Sequence, residues 1–157
     1  MSEGINYYEG RWNNDQFDGF GTYKRTGKTV KNFWEAKGTW VNGKLDEGKV
    51  EYRKGEIYEG KFDITVGRHG KGIMYYKDGS YYDGNWSNDQ KHGTGVLGYG
   101  HKEFDINPKL KNKTKLRHDQ VWIQHYKEGK LIKEHVIQKS SLNQKNSVIK
   151  QRYTKSI

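Results

Sequence analysis

The 157-residue sequence has no cysteine, a single proline and no apolar run approaching the roughly 20 residues of a membrane-spanning helix. Without cysteine there is no disulfide framework and no cysteine-ligated metal site. Hydrophobic residues make up only 31% of the chain, yet aromatics reach 14% and glycine occurs 20 times. The sequence therefore predicts one domain whose core is built from large rings rather than from leucine and valine. Its start, MSEGINYYEGRW, lacks an apolar signal region, which favours a cytoplasmic or cytoskeletal location.

The stretch Tyr82–Gly95 reads YDGNWSNDQKHGTG and is the clearest copy of a recurring unit. Side chains alternate between the two faces of a strand, so Tyr82 and Trp86 share one face, with Gly84 between them. A polar turn then leads to the glycine pair Gly93-Thr94-Gly95 on a return strand. Because glycine has no Cβ, we expect a β-hairpin in which rings lie flat across glycine backbone.

The unit recurs with its tyrosine place at positions 8, 36, 58 and 82, which are 28, 22 and 24 residues apart. A period of this size is typical of a repeat architecture. The second copy is degraded, with Ala36 at the tyrosine place and Val50 interpreted as the second glycine place. Trp12, Trp40, Phe62 and Trp86 are expected to be structural. The glycines expected to lie under or beside rings are Gly10, Gly19, Gly21, Gly60, Gly70, Gly72, Gly84, Gly93 and Gly95.

The pattern YEGxW, a polar turn and GxG resembles the MORN repeat (membrane occupation and recognition nexus) from about Tyr7 to Phe104. Lys77-Asp78-Gly79-Ser80 matches the family's turn back to the next tyrosine. Repeats and resemblance together predict an all-β fold, an elongated twisted antiparallel sheet of stacked hairpins. The predicted regions are about four repeats at 7–104, a basic connector and capping hairpin at 105–138, and a basic tail at 139–157 that is a short helix or disordered.

The capping hairpin is predicted from Val121 to Ile137, with its turn at Lys127–Lys130. Trp122 and Tyr126 take the spacing of the two aromatics of the repeat, and Gln124 stands where glycine would be. Apolar and β-branched residues around the turn support two strands. We interpret this segment as a degenerate terminal unit.

Charge is distributed unevenly along the chain. Residues 1–105 carry 16 basic and 16 acidic side chains, whereas residues 106–157 carry 13 basic and 3 acidic ones. A run of cations at every second position is either a solvated loop or a site for an acidic partner, such as an acidic protein tail, anionic lipid or RNA. Aromatics do not alternate with these cations, which argues against nucleic acid. The cations are Lys109, Lys111, Lys113, Lys115 and Arg117.

No residue pattern points to catalysis. The GxGxxG at Gly93–Gly98 lacks the preceding buried strand and following helix that a dinucleotide loop needs. His69, His92 and His101 have no metal-ligand spacing, and no serine sits in a GxSxG elbow. We therefore predict a protein that is not an enzyme and has no catalytic, cofactor or metal site.

The resemblance implies a structural scaffold, most similar to the axonemal and radial-spoke members of the family. It predicts partners among the proteins of a larger complex in a ciliary axoneme or another cytoskeletal assembly. Tyr8, Tyr58 and Tyr82 are expected to have one exposed edge each and to line a partner-binding groove. Two alternatives remain: a peripheral adaptor on phosphoinositide membrane, which binds weakly without a second anchor, and a targeting subunit of a separate enzyme.

Overall fold

The computed structural model describes residues 5–26, 33–100 and 120–138. This part of the chain forms ten β-strands and no helix, which confirms the predicted all-β fold. The strands are β1 (Asn6–Asn13), β2 (Gln16–Arg25), β3 (Phe33–Val41), β4 (Lys44–Tyr52), β5 (Ile57–Asp63), β6 (Gly67–Tyr75), β7 (Ser80–Ser87), β8 (Gln90–Tyr99), β9 (Gln120–Lys127) and β10 (Lys130–Gln138).

All ten strands belong to one open antiparallel sheet, and each strand pairs with its neighbours in sequence from β1 to β10. Each predicted unit is one hairpin: β1–β2, β3–β4, β5–β6 and β7–β8 carry the repeats, and β9–β10 carries the terminal unit. Each hairpin pairs directly with the next one, so stability is shared between neighbours along the array.

Four of the hairpins turn on two residues with positive φ. The pairs are Asn14-Asp15, Asn42-Gly43, Asn88-Asp89 and Glu128-Gly129, with φ between 46° and 76°. Two consecutive positive φ values define the type I′ turn, whose twist matches that of the flanking strands. Asparagine, aspartate and glycine tolerate this conformation, and Glu128 also adopts it in the β9–β10 turn.

The two glycines of each GxG have different structural roles. Between the Gly60–Gly72 and Phe62–Arg68 pairs, β6 runs four residues while β5 runs two, so β6 bulges. Gly70 lies in this bulge with φ of 63° and faces the Lys61 side chain. The expectation that the first glycines lie beside rings is therefore wrong, because their role is a left-handed backbone. These first glycines are Gly19, Gly70 and Gly93.

The degraded second unit has a different register from the predicted one. Gly38 pairs with Gly48 and Ala36 pairs with Val50. Gly48 therefore takes the second glycine place, and the assignment of Val50 to it is wrong. The cause is a shorter return strand, which reaches its second glycine one residue earlier after the turn. Leu45 is fully buried and lies against Gly48, where the missing tyrosine ring would be.

The main hydrophobic core lies on one face, the tyrosine face, defined by Tyr8, Tyr58 and Tyr82. Successive side chains alternate, so the residues between them form the opposite surface, the back face. The back face is mostly charged near β1–β5 and has its own small apolar cluster near β6–β9. There Tyr81 covers Gly98, and Val121 is buried.

The terminal hairpin is confirmed. Trp122 pairs with Val136, and Gln124 pairs with Glu134 at the place where the repeats bring two glycines together. The Gln124 amide donates to the Glu134 carboxylate at 2.9 Å and accepts from the Tyr126 hydroxyl at 3.0 Å. The predicted domain boundary at 104–105 and the tail at 139–157 lie outside the described residues.

Candidate functional site

Tyrosine rings lie flat across paired glycines in three repeats. A methyl group added at Gly84 would lie 2.6 Å from the Tyr82 ring, and one at Gly60 would lie 2.8 Å from the Tyr58 hydroxyl oxygen. The Tyr58 hydroxyl donates to the carbonyl of Lys61 at 3.0 Å. The prediction is confirmed for the glycine strand partners of the rings, namely Gly10, Gly21, Gly60, Gly72, Gly84 and Gly95.

The expected exposed tyrosine edges are absent in two of three cases. Tyr58 and Tyr82 are 0% exposed, and only Tyr8 is partly exposed. Trp86 stands edge-on to both buried rings, at centroid distances of 5.7 Å from Tyr58 and 5.3 Å from Tyr82. The expectation of an exposed edge at Tyr58 and Tyr82 is therefore wrong, because neighbouring rings and covering side chains enclose them.

The tryptophans join one hairpin to the next. Trp40 and Trp86 donate their indole N–H groups to the carbonyls of Gly21 and Gly72, each at 3.0 Å. Phe62 occupies the corresponding place in its repeat and is buried. Trp12 differs, since it is 57% exposed and no described strand precedes β1. The structural role is confirmed for Trp40, Phe62 and Trp86, but Trp12 is mostly exposed.

A row of side chains covers the tyrosine face, and the repeat pattern did not predict this role for them. Each follows its turn and pairs with the second aromatic of its repeat. Phe17 stacks on Tyr8 with a centroid distance of 3.9 Å. The polar turns concealed these residues, although three of them stand four places before the second glycine. These covering residues are Phe17, Leu45, Arg68 and Lys91.

Arg68 is a cation that covers the tyrosine face, and Asp89 in the turn between β7 and β8 holds it in place. Its guanidinium lies 4.1 Å from the Trp86 ring centroid, and its Nε donates to Asp89 Oδ1 at 2.6 Å. The Arg68 side chain is 15% exposed and the Asp89 side chain 49%. Burial acts to lower the pKa of Arg68, but the Asp89 hydrogen bond prevails and raises it. Arg68 is therefore a fixed charge over an aromatic ring.

Lys91 lies among three tyrosine rings. Its Nζ is 4.2 Å from the centroid of Tyr82, 5.1 Å from Tyr126 and 5.6 Å from Tyr76. Burial, assisted by the nearby charge of Arg68, lowers the pKa of Lys91 to about 8. Burial likewise raises the pKa of Tyr82 to about 12. No described carboxylate forms an ion pair with Lys91.

The back face carries an open groove of about 720 Å³. Phe20, at its side, is 62% exposed and lies 5.8 Å from the Lys37 ammonium. Glu35 and Glu51 are paired with Lys24 and Lys49. Four carboxylates and two ammonium groups border the groove, so its local charge is negative. The lining residues are Phe20, Glu35, Lys37, Glu47, Gly48, Lys49, Glu51, Glu59 and Gly60.

Comparison with known proteins identifies the hairpins. The family model of the MORN repeat matches residues 8–29, 67–81 and 82–100, which hold three of the GxG bulges described above. The chain contains MORN repeats. Alsin from Rattus norvegicus and Alsin from Homo sapiens are each 33% identical to it over 96 residues, which is 57% of this chain. The chain spans 6% of the length of these curated relatives.

MORN repeats are non-enzymatic modules that mediate protein or membrane interactions. The degraded unit at Ala36 and the first strand of the Tyr58 unit fall outside the matched segments. The structure nevertheless gives both of them the MORN register, because Gly38 pairs with Gly48 and Gly60 pairs with Gly72. The array therefore continues without a break from β3 to β8.

The other predicted site lies outside the described residues: Lys109, Lys111, Lys113, Lys115 and Arg117 are all in the segment 101–119. Within 5–26, 33–100 and 120–138, no three histidine or acidic side chains form a metal-binding group. Nor does any helix among the described residues have the length and apolar character to cross a membrane. The candidate sites on the MORN array are thus its back-face groove and its covered tyrosine face.

Proposed function

We propose that this chain is a non-enzymatic scaffold whose MORN sheet binds a basic segment of a partner protein in the back-face groove. The observation that carries the proposal is the exposed Phe20 ring beside a groove bordered by four carboxylates. Aromatic side chains supply much of the binding energy of protein interfaces when a partner covers them. Lysine or arginine in the partner would pair with the groove carboxylates that form no salt bridge within the described residues.

The charge of the groove favours a protein segment over an anionic bilayer. Glu47 and Glu59 stand on neighbouring strands of the back face, and neither forms a salt bridge with a described residue. A phosphoinositide headgroup would be repelled by these carboxylates. A basic peptide lying across β2 to β5 would instead gain both ion pairs and contact with Phe20.

The setting we propose is a ciliary axoneme complex of the radial-spoke kind, or another cytoskeletal assembly in the cytoplasm. Its support is the resemblance of the repeats to axonemal scaffold members of the MORN family. A targeting subunit would use the same groove but would bring a separate enzyme with it. The partner list therefore distinguishes the two roles, since an enzyme recovered in stoichiometric amount would favour the targeting role.

The test is affinity purification of the full chain from cells, followed by mass spectrometry of the bound proteins. A chain with Phe20→Ala and Glu47→Lys should lose most of its partners, because it removes the ring and reverses a groove charge. Val66→Ala is the matched control, since Val66 is exposed on the turn between β5 and β6, away from the groove. Equal recovery by all three chains would contradict the proposal.

A second candidate, the membrane adaptor, has one observation in its favour. Residues 106–157 carry 13 basic and 3 acidic side chains, enough to attract an anionic surface. We expect vesicles containing phosphatidylinositol phosphate to bind the full chain at low salt only, because exposed charges are screened over about 8 Å at physiological salt. Glutamine at Lys109, Lys111, Lys113, Lys115 and Arg117 should abolish that binding. Binding that persists at physiological salt would favour the adaptor.

A further inference from the structure

The outer strands β1 and β10 have one unpaired edge each among the described residues. Both edges expose apolar side chains at places that are buried inside the array. Trp12 is 57% exposed whereas Trp40 and Trp86 are buried, and Val136 is 44% exposed whereas Met74, at the same place in β6, is buried. The Trp12 indole N–H also has no acceptor within the described ranges, unlike those of Trp40 and Trp86. Each end therefore resembles half of an internal junction between repeats.

Two internal junctions, β6–β7 and β2–β3, share one register. Between β6 and β7, Gly70 pairs with Trp86, Gly72 with Gly84 and Met74 with Tyr82. Between β2 and β3 the matching pairs are Gly19 with Trp40, Gly21 with Gly38 and Tyr23 with Ala36. In each junction the tryptophan of the following strand bonds to the second glycine carbonyl of the preceding one.

The same register can be applied to β10 followed by a second copy of β1. Glu134 holds the second glycine place in β10, because it pairs with Gln124 as Gly72 pairs with Gly60. The register then sets apolar residues of β10 opposite aromatic residues of β1. The pairs are Ile132 with Trp12, Val136 with Tyr8 and Ile137 with Tyr7.

Charged and polar groups at this junction are mostly compatible. Glu9 of β1 would stand opposite His135, and the Trp12 indole N–H would reach the Glu134 carbonyl, as Trp86 reaches Gly72. The Glu134 side chain would stand beside the Tyr8 ring that covers Gly10, and its carboxylate would keep the Gln124 amide as a donor. One pair is unfavourable, because Arg11 would stand opposite Lys133.

We propose that this MORN array self-associates head to tail, with β1 of one copy adding to β10 of the next. Odd and even strands run in opposite directions through the sheet, so β1 meets β10 antiparallel, and the tyrosine faces remain continuous. Strand addition satisfies the unpaired edge groups and covers the exposed side chains. Such a heterologous contact leaves a free end on each assembly, so the average mass grows with concentration. The proposal uses residues outside the back-face groove and does not depend on the proposed function.

The test is sedimentation velocity of the full chain across a wide concentration range. Wild type should form a concentration-dependent series of species. Val136→Lys blocks the β10 end and Trp12→Lys blocks the β1 end, so each variant alone should remain monomeric. Val66→Lys is the matched control, because its 48% exposed side chain lies on the turn between β5 and β6, and it should associate like wild type.

Mixing the two blocked variants is the decisive experiment. The Val136→Lys copy keeps an intact β1, and the Trp12→Lys copy keeps an intact β10. The mixture should therefore form a one-to-one dimer that grows no further, which also shows that both variants are folded. Trp12→Lys that still self-associates would overturn the proposal in favour of symmetric β10–β10 pairing. Wild type that stays monomeric throughout would overturn it too, and would mean that these edges are covered in another way.

Discussion

The indole N–H of Trp86 donates a 3.0 Å hydrogen bond to the carbonyl of Gly72, across the boundary between two repeats. Trp40 makes the same bond to Gly21 one junction earlier. The glycine place that receives a tyrosine ring within its own hairpin therefore also receives a tryptophan N–H from the following hairpin. Folding of one repeat thus stabilises the next, because both contacts are made to the backbone of this second glycine.

Replacing Trp86 by phenylalanine should lower the free energy of unfolding by about 1–2 kcal/mol, because the buried Gly72 carbonyl loses its donor. Trp40→Phe should have a similar effect at the earlier junction. The matched control is Trp12→Phe, whose indole has no acceptor among the described residues, and it should change stability by less than about 0.5 kcal/mol. Urea unfolding followed by circular dichroism measures all three. Equal losses at Trp12 and Trp86 would contradict a role for the bond.

A second prediction concerns the ring over Gly95. A Cβ at Gly95 would meet two ring carbons and the hydroxyl oxygen of Tyr82, with Cε2 at 2.6 Å, so Gly95→Ala should destabilise by about 1–3 kcal/mol. In a Tyr82→Ala background the same substitution should cost much less, because the ring is gone.

Gly93→Ala is the control for this double-mutant comparison. Gly93 has a φ of 63° and no ring against it, so alanine there should cost about 1–2 kcal/mol through backbone strain. That cost should be the same with and without the Tyr82 ring. Thermal unfolding of the six chains gives both coupling energies, and a large coupling at Gly93 would contradict the separate roles assigned to the two glycines.

The sequence was sufficient to predict which rings meet which glycines, because Tyr82, Gly84 and Gly95 are fixed by strand alternation and hairpin pairing. The sequence was not sufficient to predict the role of Gly93. A ring over the backbone and a left-handed bulge both require glycine, so the residue type does not distinguish between them. The same ambiguity produced the wrong register at Val50, where the return strand reaches its second glycine one residue earlier.

The burial of Tyr58 and Tyr82 could not be predicted, because the side chains that cover them are charged. Arg68 and Lys91 follow polar turns and have the composition of solvated loop residues. Their alkyl stems and cationic groups nevertheless lie over Trp86 and Tyr82, as long basic side chains do on aromatic surfaces. Packing between neighbouring repeats decides whether a cation after a turn points to solvent or to a ring. The sequence of a single repeat carries no information about that packing.

A third prediction concerns acid stability at Asp63, in the turn between β5 and β6. Burial alone would raise the pKa of Asp63, but hydrogen bonds from Thr65, Val66 and Lys44 prevail and lower it to about 2 from an ordinary value of 3.8. The unfolded chain therefore binds this proton at higher pH than the folded chain does. Stability from Asp63 is complete above pH 3.8 and is lost as the pH falls towards 2.

Asp63→Asn should lower stability at neutral pH and flatten the decline between about pH 4 and pH 2, because the linked protonation is removed. Asp46→Asn is the matched control: Asp46 pairs with Lys61, and both side chains are 50% exposed. Exposed ion pairs of this kind contribute little to the free energy of unfolding, so the decline of stability at acid pH should keep its wild-type slope. Urea midpoints at a series of pH values measure the effect. An Asp63→Asn chain with the wild-type decline of stability at acid pH would contradict the assignment.

The last prediction concerns Lys91, whose pKa is lowered by burial and by Arg68 to about 8 from an ordinary value of 10.5. Between these two values the unfolded chain holds a proton that the folded chain has released, so stability should rise as the pH increases through this window. A titration of the Lys91 side chain by NMR should give a midpoint near pH 8. Arg68→Gln should raise that midpoint, because it removes a neighbouring positive charge. Lys91→Met keeps a long side chain over Tyr82 but cannot titrate, so its stability should be flatter across the same window. A wild-type midpoint near 10.5 would show that the ammonium group is solvated rather than enclosed by the three tyrosines.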